Sequence, residues 1–331
     1  MKKPSLFFQV IIFLFISLIL SLSIISYYLF SPITLPKNYR LIIAKGESVR
    51  KISNKLVKEN IITSANLFNY IIKISHKDTK ISAGAYLLPS SISLWDLALR
   101  LTNGKPDQIS ITLLDGWNFK QIKAQLKQEP QLTHTTESMS EEQILQQLNL
   151  PYGRMEGLLY PATYFIAPQQ TDLELMQQAS QLMQQKLTQI WQQRSLTTQY
   201  TNPYQLLIMA SLIQKETNNH QDMYQIAAVF NNRLRHNMRL QDDPAVFYGL
   251  DNKEVIKRAD FAIDTPYNTY LHNGLPPTPI TTPSLEALKA AANPTANDKI
   301  LYFIAIGQGK SKFFTNYTDH TKAVNYYLKK K

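Results

Sequence analysis

From Leu6 to Phe30 the chain is apolar almost without interruption, with only Gln9 and a few serines breaking the run. A helix of that length crosses the hydrocarbon of a bilayer. Lys2 and Lys3 precede it, and no cation follows until Lys37. The positive-inside rule then places residues 1–5 in the cytoplasm and everything beyond the helix outside it. Tyr27 and Tyr28 stand where an interfacial aromatic belt belongs. A cleaved signal peptide is the rival reading, but the run exceeds a signal h-region and no small-x-small site follows. The pattern therefore predicts an uncleaved anchor over 6–30 and a short Pro-containing linker over 31–39.

Behind the linker one pattern recurs. The segments "IIAKGESVRKISNKLVKE" (42–59) and "TLLDGWNFKQIKAQLKQE" (112–129) align without gaps, Gly46 on Gly116, Ile52 on Ile122, Leu56 on Leu126 and Glu59 on Glu129. A partial copy, "SISLWDLALRL" (91–101), keeps the frame through Ser93, Leu94, Leu97 and Leu101. Each copy reads as a strand, a tight turn, a cap and a helix. Ser48, Ser93 and Asn118 take the cap position, where a side-chain oxygen satisfies a free backbone N–H. The apolar residues that follow recur at i, i+3 and i+7, one face of a helix. Such units predict a small α+β region over 40–150 that resembles the LysM type. It serves either as a glycan-binding module or as a spacer lifting the next domain off the membrane.

From Pro151 the character changes. "PYGRMEGLLYPATYFIAP" is rich in aromatics and turn residues and poor in charge. A long helix is predicted over 171–191, capped by Thr171 or Asp172, with Leu173, Met176, Ala179, Met183, Leu187 and Ile190 along its apolar stripe. A second follows over "TNPYQLLIMASLIQKET", with Asn202 as cap and Pro203 at the first position, where a missing N–H does no harm. A third, over 221–237, buries Ile226, Val229, Phe230 and Leu234. The segment "LYFIAI" (301–306) reads as extended. The fold class is α+β: one transmembrane helix, the LysM-like region, then a mainly helical domain over 151–331 with some extended segments.

Composition narrows the chemistry. The 331 residues are 44% hydrophobic and 11% aromatic, ample for packed cores. With no cysteine, no disulfide framework, thiolate nucleophile or Cys-based zinc site is available. The net charge of +11 is spread thinly, apart from the closing "LKKK", so nothing resembles the concentrated basic stripe of a nucleic-acid-binding protein. His220, His236, His272 and His320 follow no ligand spacing, and neither HExxH, a Walker loop, GxSxG nor a dinucleotide-binding glycine pattern occurs. No metal and no cofactor is expected.

Three stretches remain. Glu216 closes the most apolar helix, "LLIMASLI" running into Gln214, Lys215 and Glu216. It either points to solvent beside Lys215 or sits half-desolvated at the negative end of a helix dipole. The second arrangement raises its pKa and suits a glycosidase acid. "RLQDDPAVFYGL" (239–250) offers Gln241, Asp242 and Asp243 as acceptors beside Phe247 and Tyr248, with Asp243-Pro244 reading as a turn. "TPYNTYLHNGLPPTPITTPS" (265–284) is a long proline-braced loop. Its Tyr267, Asn268, Tyr270 and Asn273 could line a sugar-binding groove.

In order and spacing, "EGLLYPATY", "ASLIQKE", "VFNNRL", "MRLQDDPAVFYG", "YNTYLHNGLPPTPI" and "ALKAAANP" resemble the endolytic murein transglycosylase family (MltG, the YceG-like proteins). The resemblance runs from about residue 40 to the end and includes the single anchor. It implies cleavage of the β-1,4 bond between N-acetylmuramic acid and N-acetylglucosamine within nascent peptidoglycan strands. The muramic product would carry a 1,6-anhydro end, and strand elongation would terminate there. It also implies that Glu216 is the catalytic acid and then base, the nucleophile being the sugar's own 6-hydroxyl. Supporting substrate contacts fall on Glu156, Gln241, Asp243, Tyr267 and Asn268. Peptidoglycan strands are the implied partner, with peptidoglycan synthases of the same inner (cytoplasmic) membrane as further ones. The chain departs from the family pattern at Ala162, Gln214, Thr278 and Lys312, which bears on substrate contacts and rate. Two other readings stand beside this one: a non-catalytic peptidoglycan-binding scaffold, and a hydrolytic muramidase with Asp242 or Asp243 placing the water.

Overall fold

A computed structural model of the chain describes residues 6–36, 39–43, 46–74, 81–107, 109–167, 170–251 and 257–328. Lys2, Lys3 and Lys37, on which the orientation of the anchor was argued, lie outside these residues, as do the three closing lysines. The chain divides into two compact units, Met1–Ser110 with Phe165–Gln169, and Ile111–Tyr164 with Gln170–Lys331. The division therefore falls forty residues earlier than the composition shift at Pro151, and the second repeat copy belongs to the later unit.

The first unit opens with α1 (Leu6–Phe30), which carries no acidic or basic residue in its terminal turns. Its stretch Ile11–Phe30 has a mean hydropathy of 2.3 and is not covered by other protein, as a membrane-crossing helix requires. The expected linker is partly structured: β1 (Pro32–Thr34) pairs antiparallel with β4 (Ser91–Ser93). Between them lie β2 (Arg40–Ile43), α2 (Val49–Lys58), α3 (Ala65–Ile74) and β3 (Gly84–Leu87), and α4 (Leu94–Asn103) follows β4. β2 and β3 pair antiparallel, Leu41 opposite Tyr86. Ser48 and Ser93 cap α2 and α4 as their sequence positions predict. Leu41, Ile52, Leu56, Phe68, Tyr86 and Leu97 form one closed core. Phe30, at the end of α1, lies 6.3 Å from the Trp95 ring on α4.

The division runs through β5 (Ile109–Thr112) and β6 (Thr163–Ile166), and the second unit carries α5 (Phe119–Gln128), α6 (Glu141–Gln147), α7 (Asp172–Gln192), α8 (Pro203–Glu216), α9 (His220–Arg235), α10 (Asp243–Gly249), α11 (Leu285–Ala292), β7 (Tyr302–Gly307), β8 (Lys310–Phe314) and α12 (Tyr317–Leu328). β5 pairs with β6, and β7 with β8. Asn118 caps α5 through a reciprocal capping box with Gln121, and Thr171 caps α7 through another with Glu174. On α7 the apolar stripe includes Leu175, with Leu173 only half-buried. Asp172 is buried there because it accepts from the backbone N–H and hydroxyl of both Thr135 and Thr136.

The core of this unit is α8. Every residue from Leu206 to Gln214 is buried, so the helix has no solvated face over that length. It packs against α7, α9, α10 and above all α11. Ala287, Ala290, Ala291 and Ala292 of α11 are fully buried, and side chains this small let helix backbones approach closely. Asp243-Pro244, expected as a turn, instead opens α10, with Asp242 as its cap and Pro at the first turn. The loop over 265–284 has neither helix nor strand, as its composition predicts.

Asp172→Ala should strand five donors around one buried position. We expect a loss of about 1–3 kcal/mol, read as a lower denaturant midpoint at unchanged slope; an unchanged midpoint would show that the Thr135–Thr136 turn is held by other means.

Candidate active site

The end of α8 opens into a cleft of about 680 Å³. One wall is α8 from Gln214 with the following residues to Asn219, a second is Asp115 and Gly116, and the third is the β7–β8 hairpin through Ala305 and the residues from Gly307 to Ser311. Each wall is fixed by local rules. Gly116 holds a φ of +76°, favourable only to glycine. Its N–H bonds to the Thr282 carbonyl at 2.8 Å, and the Thr282 N–H to the Trp117 carbonyl at 2.8 Å. The turn inherited from the repeat is thereby pinned to the proline-rich loop. Ile280 of that loop bonds to the Ser211 hydroxyl of α8 at 3.1 Å. Gln214 accepts the Ser284 N–H at 2.9 Å. The β7–β8 turn takes three consecutive positive φ values at Gly307, Gln308 and Gly309, which two glycines make accessible.

Lys215 and Glu216, adjacent in sequence, diverge. Lys215 is exposed and donates to the Gly116 carbonyl at 3.2 Å. Glu216 is partly buried and faces Asp242. Burial pushes the Glu216 carboxyl up to about 7; the charge of Asp243 adds to the push, while the hydrogen bond with Asp242 and the Arg233 guanidinium oppose it. The C-terminal end of the helix acts in the raising direction as well. Asp242 is fully buried, and its carboxyl is raised well above the ordinary range by burial and by the adjacent Glu216.

Around this pair the sequence-predicted residues separate into two groups. Asp243 is exposed and accepts from the Tyr270 hydroxyl at 2.5 Å. Gln241 is exposed, with φ of +51°, and its side chain accepts from Arg233 Nη1 at 3.3 Å. Both belong to the segment that carries Asp242. Asn268 is fully buried, donating to the carbonyls of Phe261 and Ile263 and accepting from the Tyr270 N–H. It shapes the loop from within. Tyr267 hydrogen-bonds Thr278 at 2.8 Å and meets the Tyr248 ring edge-on at 4.8 Å. Glu156 is buried and accepts the Phe119 N–H at the start of α5, at 3.0 and 3.2 Å. Burial pushes its carboxyl up to about 7, against bonds from Phe119, Tyr248 and Gly157. Gly157 beside it is required: φ is +74°, and a Cβ would stand 2.6 Å from Pro279.

One contributor escapes the sequence reading. Arg233 is buried and donates to the carbonyls of Leu240 and Leu301 at 2.7 and 2.8 Å, tying α9 to the Asp242 segment. In sequence it looks like one more basic residue near a helix end. Asp242 enters the sequence reading as an acceptor and as a candidate for placing water in a hydrolytic muramidase, not as a partner of Glu216. The cap-and-proline pattern before α10 is the signal that places it. Among the departures from the family pattern, Ala162 accepts the Leu113 N–H through its backbone, and Lys312 lies over the Phe314 ring on β8. No group of three or more His, Cys, Asp or Glu fit for a metal occurs among the described residues.

The raised carboxyl has a thermodynamic consequence. At low pH the Glu216 side chain is protonated in both folded and unfolded chains. As pH rises from 4.5 to about 7 the unfolded chain releases the proton first, so stability falls across that window and levels off above it. Glu216→Gln should therefore melt above the wild type at about pH 8 and with it at about pH 4, by up to about 3 kcal/mol. Coincident melting at the higher pH would mean a solvated carboxyl.

The YceG-like family matches residues 41–326. The chain is 31% identical over 308 residues to the endolytic murein transglycosylase of Bacillus subtilis, covering 87% of this chain and 84% of that one. It is 30% identical over 317 residues to the protein of that name from Streptococcus pneumoniae D39, where the match covers 85% of this chain and 57% of the relative. A crystal structure of a YceG-like protein from Listeria monocytogenes superposes with a TM-score of 0.55 at 27% identity, over 86% of this chain and 98% of that one. With the family matched across nearly the whole extracytoplasmic length predicted from sequence, the chain belongs to the YceG-like family.

Proposed function

We propose that this chain is a membrane-anchored endolytic lytic transglycosylase. It cleaves the β-1,4 bond between N-acetylmuramic acid and N-acetylglucosamine within peptidoglycan strands and leaves a 1,6-anhydro-muramic end. The observation that carries this reading is a single carboxyl, Glu216, whose burial pushes it up to about 7 at the edge of an open cleft. An acid tuned to that range holds its proton near neutrality and can release it to a leaving oxygen. The names of the bacterial relatives support the same substrate.

Glu216 transfers its proton to the glycosidic oxygen as the bond to the muramoyl anomeric carbon breaks, the bonding pair leaving with that oxygen. The carboxylate then accepts the proton of the 6-hydroxyl as that oxygen bonds to the anomeric carbon. The proton taken from Glu216 is returned, and no water enters the products. Gln241 and Asp243 flank Asp242 in the segment that faces the acid, and Tyr267 contributes from the Tyr248–Thr278 side of the loop. Glu156 and Asn268, both buried, act through the elements they hold. Ending a nascent strand in this way terminates its elongation, and α1 keeps the enzyme at the inner membrane, beside the synthases that make the strand. The β2–α2–α3–β3 unit is the candidate glycan-binding module.

The test uses the detergent-solubilised chain with un-crosslinked glycan strands, and mass spectrometry of the ends. We expect muramic ends lighter by one water than hydrolytic ends, and a loss of about 10²–10⁴-fold in Glu216→Gln. The rate should fall as pH rises through about 7, because the protonated acid is the active form. Reducing ends would make the enzyme a hydrolase. Binding without cleavage would make it a scaffold.

A further inference from the structure

Asp242 caps α10, and its two carboxyl oxygens have different surroundings. Oδ2 accepts the Ala245 N–H at 2.8 Å. Oδ1 is sealed from solvent and receives no donor among the described residues. The nearby donors are otherwise engaged. The Thr269 hydroxyl receives the Asp242 backbone N–H at 2.8 Å and the Tyr270 hydroxyl goes to Asp243. The Arg233 guanidinium goes to backbone carbonyls and to Gln241. The hydrogen-bonding neighbour left to the Asp242 side chain is the Glu216 carboxyl. Two carboxylates in that relation would place like charges together and leave a buried anionic oxygen bare, which costs more than burying the neutral acid. A proton on Oδ1 removes both problems at once.

We propose that Asp242 is held in the folded enzyme as the neutral acid and is a positioning residue, its Oδ1–H donating to the Glu216 carboxyl. The proposal rests on the reading of Glu216 as the acid. In that reading Asp242 stays protonated through the cycle. Its O–H fixes the orientation of the Glu216 carboxyl, so that the other Glu216 oxygen faces the cleft with the transferable proton. When that proton leaves for the glycosidic oxygen, the new carboxylate already has a donor in place, and it keeps that donor while it takes the 6-hydroxyl proton. A carboxylic acid kept neutral by its surroundings so that it can donate is a known catalytic device. The other charged groups act consistently. Asp243 opposes ionisation of both carboxyls, and Arg233 favours it at Glu216. Asp242 is sealed by protein whereas Glu216 lines the cleft, so Glu216 is the carboxyl that exchanges its proton and Asp242 the one that keeps it. A buried neutral acid is also far too weak a base to deprotonate water, which removes Asp242 as the base of a hydrolytic mechanism.

Asp242→Asn tests this directly, because an amide N–H replaces the O–H while the amide oxygen keeps the cap. We expect its kcat to stay within about threefold of wild type with an unshifted alkaline limb. Asp242→Ala, lacking the donor, should lose about 10–100-fold in kcat. Its alkaline limb should move to higher pH, since the donor had favoured ionised Glu216. Infrared spectra taken above the Glu216 transition should show a neutral-carboxyl band in wild type that is absent from Asp242→Asn. A loss in Asp242→Asn as deep as in Asp242→Ala, or no such band, overturns the proposal. If Asp242→Ala does not fold by circular dichroism, the Asn variant and the spectra decide. The infrared result needs no turnover, so it stands apart from any failure to find anhydro ends.

Discussion

Desolvation of one carboxyl at the end of one helix is the constraint from which the rest of the second unit follows. Glu216 could be solvated at little cost on an ordinary amphipathic helix. α8 is not one: from Leu206 to Gln214 it is buried all round, so its last residue emerges between packed neighbours. Keeping a carboxyl there opposes both hydration and the helix dipole. The surroundings must be stiff enough to hold it. The fully buried alanines of α11 bring that helix close against α8, and the Ser211 hydroxyl inside α8 anchors the proline-rich loop at Ile280.

That loop does more than connect. Its buried Asn268 and Thr269 replace the missing secondary structure with side-chain bonds. Asn268 binds two carbonyls on the preceding turn, and Thr269 clamps the backbone of Asp242 from both sides. Arg233 performs the same service from α9, gathering the carbonyls of Leu240 and Leu301. The segment bearing Asp242 is therefore positioned from two directions before α10 begins. A second layer, in which Glu156 takes the Phe119 N–H and Tyr248 meets Tyr267, joins α5 to the same loop. Two carboxyls pushed toward neutrality, Glu156 and Glu216, thus do different work: one holds an element's start, the other faces a cleft.

How much of this is legible in sequence depends on the range of the physics. Caps and stripes are local, and Ser48, Ser93, Asn118, Thr171 and Asn202 all cap the helices they announce. The repeat gave the strand-turn-helix units, down to matching positive φ at Gly46 and Gly116. Three things needed the tertiary structure. The linker holds β1 because its partner, Ser91–Ser93, is sixty residues away. Asp243-Pro244 reads as a turn when proline is weighed alone, and becomes a helix start once Asp242 is seen to cap it. Asn268, with the composition of a sugar ligand, is buried because irregular backbone must find its hydrogen bonds somewhere. The family pattern located Glu216, but the neighbour that faces it is invisible to spacing, twenty-six residues on and brought back by Arg233 and Thr269.

The arrangement also bears on which nucleophile completes the proposed reaction. A hydrolase of the two-carboxylate kind needs its second carboxylate ionised, with room for a water. Asp242 is sealed by protein, and Asp243 is exposed with an oxygen committed to Tyr270. Neither lines the cleft. The substrate's own 6-hydroxyl needs no such base to deliver it, because it is tethered to the reacting carbon, and intramolecular attack carries a large effective concentration. One titrating carboxyl then suffices for both proton transfers, provided that its ionised form is held by a donor while the hydroxyl turns in. On that argument the proposed reaction depends less on a second carboxylate than on the donor that holds ionised Glu216.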